Sequence, residues 1–420
     1  MRKVLVVAYY FPPMGLSGVQ RTLKFVKYLP SFEWMPTVLT VSSRGYFAKD
    51  ETLLKEVEPL GIEVMRTRSF DMNYFFRKQE VVKMPSEWVR KILSRISDAV
   101  FIPDNKIGWK RPALKAASLL MEKEKFDAVF VTAPPQTDFL IGKALKEKFH
   151  VPLVMDYRDA WVDYPFRSYP TPLHKLAHRT LEKHVLQKAD AIIVASRRLK
   201  ELILRRYKFL HYNDIQIISQ GFDPDDMKFN PQEKLPHVEK MRITYSGVFY
   251  ENRTPIFFLE ALHRVFKQHP KIRGRIEACF IGAFRPEHMK IVNRLELQDS
   301  VNILGYLEHR ECVKYQLASD VLWVMMDDTE SSPGKIFEYI GTQKKILGCV
   351  PQGFVRALIE EAGGICVDPS NVEQITVAIL QLYDQYEHRK LSSPRPDVVD
   401  RYNRVTLTGE LAKVLTNLVD

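Results

Sequence analysis

Seven residues separate Glu330 from Glu338 in the run Glu330-Ser331-Ser332-Pro333-Gly334-Lys335-Ile336-Phe337-Glu338. Ser332 suits a helix cap, Pro333 suits the first helical turn, and Gly334 leaves the backbone bare. The apolar run from Asp320 to Met326 just before it reads as a strand. Strand, loop and helix start together make an anion site, because unpaired N–H groups and the helix dipole face whatever docks there. The turn Pro333-Gly334-Lys335-Ile336 would then lie against the anion, with Lys335 as a cation beside it. Gly334 and Glu338 share a helix face, which puts Glu338 within reach of a polyhydroxyl group. Glu330 would approach from the loop. A diphosphate flanked by two sugar-like rings would use all of these groups. The plain alternative is a capped helix with two solvated glutamates.

Other segments could serve the same chemistry. Gly15 and Gly18, in Phe11-Pro12-Pro13-Met14-Gly15-Leu16-Ser17-Gly18-Val19-Gln20-Arg21, permit a tight loop feeding a helix N-terminus. The spacing is not G-x-G-x-x-G, so the dinucleotide fingerprint is absent. A simple turn capped by Ser17 is the competing account. In Asp156-Tyr157-Arg158-Asp159-Ala160-Trp161, Asp159 could position an acceptor hydroxyl and Arg158 could offer a fixed cation. An internal Arg–Asp pair would explain the same residues. Arg253, after Gly247-Val248-Phe249-Tyr250-Glu251-Asn252, could clamp a diphosphate through its guanidinium, or simply be solvated.

Some patterns suggest chemistry that their context does not support. Asp223-x-Asp225-Asp226 has metal-like spacing but carries ordinary turn and cap residues. His174 and His178 have helical spacing without an H-E-x-x-H signature. The segment Ser86 to Val100 is amphipathic, with Trp88, Ile92, Ile96 and Ala99 in one stripe. It reads either as a helix packed on the core or as a membrane-surface helix.

The elements that must hold these residues alternate through the chain. Short apolar runs at 4–9, 37–41, 63–67, 128–132, 153–157, 191–195 and 215–218 interleave with helical patterns at 18–29, 112–123, 137–149 and 172–187. The pattern restarts after residue 240, with strands at 242–246, 277–281, 301–304, 321–326, 345–348 and 364–367. This alternation predicts parallel sheets covered on both faces. The expected class is α/β, with two facing doubly wound Rossmann-like domains and an interdomain cleft. The expected domains are 1–220 on the acceptor side and 241–400 for the donor. A polar, proline-rich linker at 221–240 joins them, and a final helix at 401–420 returns to the first domain.

With 420 residues, two domains are the natural reading. Residues 1–200 hold 34 basic and 21 acidic side chains, a surplus of 13, whereas residues 201–420 hold 28 and 30. A basic first half suits phosphate-bearing or membrane-surface partners. Cys279, Cys312, Cys349 and Cys366 are widely spaced, and three lie in apolar stretches, so they read as reduced core residues of a cytoplasmic protein. The apolar run after Met1-Arg2-Lys3 is short and ends in Pro12-Pro13, which favours a buried strand over a signal peptide. No segment approaches the 18 apolar residues of a membrane span.

Taken in order, six segments resemble the family-4 retaining glycosyltransferases: 11–21, 156–161, QGFDPDD at 220–226, YSGVFYENRTP at 245–255, FIGAF at 280–284 and ESSPGKIFEYIG at 330–341. The resemblance spans nearly the whole chain and implies the GT-B fold. It places Glu330 on the transferred sugar and Glu338 on the nucleotide ribose. It puts the Gly15–Gly18 loop and Arg253 at the donor phosphates, and Phe284 and Arg285 near the base. Two positions depart from the family. Arg158 stands where many members have histidine, and Val248 stands where many have a second cation, a charge that Lys335 is placed to supply.

The implied activity is transfer of a sugar from a nucleotide diphosphate sugar to a hydroxyl of a glycan or lipid-linked glycan, with retained configuration, in cell-surface polysaccharide synthesis. No metal or other cofactor is expected, and no nucleic acid. Contact with an anionic inner membrane face is the expected peripheral interaction. The rival from another class is a non-catalytic scaffold that binds nucleotide sugar or polysaccharide. A nucleotide-sugar epimerase is a third reading.

Overall fold

In the computed structural model, the described residues are 1–420 except 16, 44–49, 57, 72–94, 165–166, 230–232, 250–252 and 330–333. Two compact units emerge: residues 1–220 with 404–420, and residues 221–403. The final segment therefore belongs to the first unit, and 221–240 to the second.

All thirteen expected strands are present, with ends shifted by a few residues. The first unit holds a parallel sheet in the order β3-β2-β1-β4-β5-β6-β7. These strands are β1 (Arg2–Val7), β2 (Trp34–Val41), β3 (Val64–Thr67), β4 (Ala128–Ala133), β5 (Leu153–Tyr157), β6 (Ala191–Val194) and β7 (Ile215–Ile217). Around it lie α1 (Ser17–Tyr28), α2 (Lys110–Lys123), α3 (Thr137–Phe149), α4 (Pro172–Leu186) and α5 (Arg197–Arg206). The central strands are buried along their whole length because helices cover both faces, and they are apolar except at Thr132 and Asp156. Local caps set several helix starts. Thr171 Oγ1 accepts from the His174 N–H ahead of Pro172, and Ser196 caps α5 through Leu199.

One ion pair sits inside this unit. Arg21, on α1, clasps Asp156 of β5 through Nε and Nη2, at 2.8–3.1 Å, and both side chains are fully buried. Thr132 Oγ1 also donates to the carboxylate, while Nη2 and Nη1 of the guanidinium reach the Ile218 and Ser219 carbonyls. Every polar atom therefore has a partner, which is what makes a buried charge pair tolerable. The closing helix of the chain docks beside α1, where Trp34 Nε1 donates to Thr416 at 3.1 Å and Arg404 reaches Gln220.

The second unit repeats the plan with β10-β9-β8-β11-β12-β13, again all parallel. These are β8 (Met241–Ser246), β9 (Ile276–Ile281), β10 (Val301–Gly305), β11 (Val321–Met325), β12 (Lys345–Cys349) and β13 (Ile365–Val367). The helices are α6 (Ile256–Gln268), α7 (Pro286–Arg294), α8 (His309–Leu317), α9 (Lys335–Gly341), α10 (Phe354–Glu361), α11 (Val372–Glu387) and α12 (Pro396–Arg401), with α13 (Arg404–Asn417) returning to the first unit. Phe222 lies flat against Gly341, where an added Cβ would meet its ring at 2.4 Å. All four cysteines are free thiols. Among the described residues no helix is long and apolar enough to cross a membrane.

Arg21→Ala would leave the Asp156 carboxylate buried and unpaired. Urea unfolding should show a loss of about 3–5 kcal/mol. A loss below about 1 kcal/mol would contradict a structural role for the pair.

Candidate functional site

In a doubly wound sheet, ligands collect beyond the strand C-termini where the strand order reverses. In the second unit that point lies between β8 and β11. Here β8 ends at Ser246, and all three polar groups of that residue are held. Its N–H donates to Tyr339 Oη at 2.9 Å, its Oγ sits 3.1 Å from the same phenol, and Gln316 Nε2 reaches the Oγ at 3.2 Å. Its carbonyl accepts from Lys335 Nζ. Helices α8 and α9 thus fix the strand end from two sides.

The next residue, Gly247, has φ +156°, and a Cβ there would meet Lys335 Nζ at 2.9 Å. Its N–H bonds the Ile281 carbonyl at 2.7 Å. Gly282 follows β9 with φ +118°, and a Cβ on it would sit 2.1 Å from the Gly247 carbonyl oxygen. Two bare backbones therefore cross beside a lysine. This geometry admits a ligand close to the main chain and supplies a cation to meet it.

Lys335 is the first residue of α9, with Gly334 at the cap position. This helix has only seven residues, so its dipole is modest and the ammonium is the main positive group. Burial lowers the lysine pKa, opposed by Cys312 and Glu338 nearby. Glu338 is half-buried one turn along and bonds Thr342 through its backbone carbonyl. The Ile336 side chain, by contrast, is wholly buried in the core with Phe337 and Ile340. It packs the helix, so the part of Ile336 left to meet an anion at this turn is its backbone. Glu330 and Pro333 fall outside the described residues.

Arg253 lies three residues before α6, is 8% exposed, and is not the solvated side chain of the plain account. Its Nη2 bonds Asp328 at 2.7 Å and its Nε faces Asp327 at 3.4 Å, just beyond β11. The switch point therefore carries Arg253 and Lys335, with two aspartates already sharing the arginine. A diphosphate clamp would have to compete with those carboxylates. Phe284 and Arg285 lead into α7, with Phe284 edge-on to Phe249 and His288. Arg285 approaches Glu287 at 3.5 Å.

The first unit presents a separate polar group at its own reversal, between β1 and β4. Asp138, in the first turn of α3, is fully buried. Its Oδ2 accepts the Tyr9 N–H at 2.8 Å, and its Oδ1 has no partner. Burial, reinforced by Asp104, holds this carboxyl well above the usual carboxylate range, while Arg158 acts in the opposite direction. Tyr10 shares this electrostatic neighbourhood. Asp138 was not legible beforehand, because it reads as a first-turn acid in an ordinary helix start.

Arg158 is not paired with Asp159. Its guanidinium reaches the carbonyls of Gly18, Ala133 and Pro134, tying the start of α1 to the loop after β4. That makes it a loop clamp, in place of both the freely offered cation and the internal ion pair. Asp159 is exposed. Gly15 is buried, and Gly18 lies in the first turn of α1 with its carbonyl accepting from Arg158. Asp223 closes a turn onto the Asp225 N–H, and Asp226 faces His309 at 3.1 Å, consistent with turn and cap roles. His178 accepts from the Trp161 indole at 3.0 Å. Burial and then Arg167 push it down to about 4, so it is a neutral packed histidine.

Family models match both halves of the chain: Glycosyltransferase Family 4 over residues 62–226 and Glycosyl transferases group 1 over residues 240–385. No curated protein matches the sequence. Among solved structures, HepE of Anabaena in complex with UDP aligns over 99% of this chain and 100% of its own, with TM-score 0.65 and 15% identity. A glycosyltransferase from Rickettsia africae aligns over 100% and 99%, with TM-score 0.66 and 15% identity. Sucrose-phosphate synthase from Thermosynechococcus elongatus aligns over 100% and 99%, with TM-score 0.64 and 15% identity. At these identities the structural likeness establishes the two-domain Rossmann-like GT-B fold.

Gly282→Ala should force the two crossing backbones apart. Thermal or urea unfolding should register a loss of at least about 1–3 kcal/mol from backbone strain alone. A variant as stable as wild type would contradict the crossing.

Proposed function

Given that the chain belongs to the family-4-type glycosyltransferases of GT-B fold, we propose that it transfers a sugar from a uridine diphosphate sugar to a hydroxyl, with retained configuration. The acceptor in this reading is a glycan or lipid-linked glycan of a surface polysaccharide. The observation that carries the proposal is Lys335 Nζ beside the bare Gly247 backbone at the switch point. Uridine is favoured because the similar HepE structures hold UDP, UDP with glucose, and UDP-glucose.

The chemistry follows from charge. As the glycosidic bond breaks, negative charge grows on the departing diphosphate and positive charge on the sugar ring. Lys335, released from the Ser246 carbonyl, would turn to the diphosphate, and its neighbour Gly247 lets the phosphate approach the main chain. Arg253 would share its guanidinium between the phosphate and Asp328. A fixed donor of this kind typically contributes about 2.7–4 kcal/mol to lowering the barrier. Glu338 would hold the ribose, Glu330 the sugar, and Phe284 and Arg285 would border the base. Gly334 would contribute its backbone. In the first unit, Asp159 is the exposed carboxylate available for an acceptor hydroxyl, with Arg158 holding its loop. Two fixed cations make a metal ion dispensable in this scheme.

The test uses calorimetric UDP binding together with UDP release from UDP-glucose, UDP-galactose and UDP-N-acetylglucosamine. Lys335→Ala should lower kcat/KM about 100- to 1000-fold. The pKa of Lys335 is lowered in the folded protein, so its charged form is lost at a lower pH than for a free lysine. UDP affinity should therefore fall as pH rises through that lowered pKa, and the variant should lose this fall. Wild-type rates in the variant would remove the phosphate role. UDP binding with no donor consumed would leave a binding scaffold, and donor isomerisation without acceptor would indicate an epimerase.

A further inference from the structure

Helix α4 leaves Leu173 and Leu176 74% and 58% exposed. They lie three apart and so share a face. The same exposed surface carries Lys175, Arg179 and Lys183, none paired with a carboxylate among the described residues. The only acid of the helix, Glu182, is 3% exposed and bonds Tyr207 on the opposite side. Two exposed leucines bordered by cations, with no exposed acid on the helix, form an apolar patch with a positive rim.

A second piece adjoins it. Residues 95–100 are helical, and Ile96 and Val100 are 56% and 66% exposed, so this end of the amphipathic segment is not packed on the core. His174 Nε2 lies 3.1 Å from the Ala99 carbonyl, and the Ser168 N–H donates to Asp98 at 3.4 Å. These bonds bring the two helices together at their ends. Arg95 adds a further exposed cation, and Asp98 is occupied by the Ser168 bond. The result is four large exposed apolar side chains among four exposed cations, all within the first unit.

We propose that this face, α4 with residues 95–100, is a docking surface for an anionic phospholipid bilayer. The leucines, isoleucine and valine enter the headgroup–acyl boundary while Lys175, Arg179, Lys183 and Arg95 meet lipid phosphates. Charge complementarity selects the lipid. A neutral protein partner would leave four cations unpaired, and a soluble polyanion would leave the apolar side chains in water. The inference deepens the proposed function by placing a lipid-linked acceptor at this face, and it rests on that reading only for the identity of the acceptor.

The test is co-sedimentation of the full chain with phosphatidylglycerol and phosphatidylcholine vesicles at low and high salt. Wild type should pellet with phosphatidylglycerol, lose binding as salt rises, and ignore phosphatidylcholine. Leu173→Glu with Leu176→Glu should lower partitioning about tenfold or more, and Lys175→Glu with Arg179→Glu should do likewise. The second pair changes only exposed charges, so it keeps the test valid should the first fail to fold. UDP-induced thermal shift, read in parallel, reports on the donor site alone. A UDP shift without vesicle binding overturns this surface and spares the proposed function, whereas vesicle binding without a UDP shift does the reverse. Vesicle binding that depends on salt but survives loss of both leucines would indicate a plain polyanion surface and overturn the lipid assignment.

Discussion

Everything at the switch point of the second unit depends on one crowded crossing, where the Gly282 backbone passes against the Gly247 carbonyl. No side chain fits between them. That contact ends β8 and β9 in register and turns the chain outward just where Ser246 is held by Tyr339, Gln316 and Lys335. The glycines supply space and the three polar side chains supply rigidity. A phosphate site needs both, because a donor group that must first be ordered stabilises the transition state less.

The two units handle buried charge differently. In the first, Arg21 and Asp156 are fully satisfied by each other and by carbonyls, and they hold the sheet without facing any ligand. In the second, Lys335 has a single carbonyl partner among the described residues and a pKa lowered by burial. An ammonium with one neutral acceptor gains more from an arriving anion than a guanidinium already shared by Asp327 and Asp328. Lys335 is therefore the more responsive of the two cations.

Much of this was legible in the sequence because periodicity reports burial. Short, mostly apolar runs such as Ala128–Ala133, alternating with helical patterns, read as strands covered on both faces, so the sheets and their alternation followed. Glycines with an obligatory role were also visible as loop residues after strands. What the sequence could not show was which partner each charge would choose. Arg158 reads as a free cation but spends its donors on three carbonyls, and Arg21 reads as the end of a glycine loop but closes a core pair. Ile336 sits inside the anion motif by spacing, yet the helical turn aims its side chain at the core. Asp138 gave no signal, since its burial arises from the packing of Tyr9 over the start of α3. Several of these are long-range choices: Arg158 with Gly18, Arg21 with Asp156 and Asp138 with Tyr9 each join residues more than a hundred positions apart.

The most direct measurement is a crystal structure of the chain with UDP. The account predicts β-phosphate oxygens within hydrogen-bond distance of Lys335 Nζ and of the backbone at Gly247, with the lysine drawn off the Ser246 carbonyl. A diphosphate bound elsewhere, or a lysine still on that carbonyl with the nucleotide in place, would contradict it.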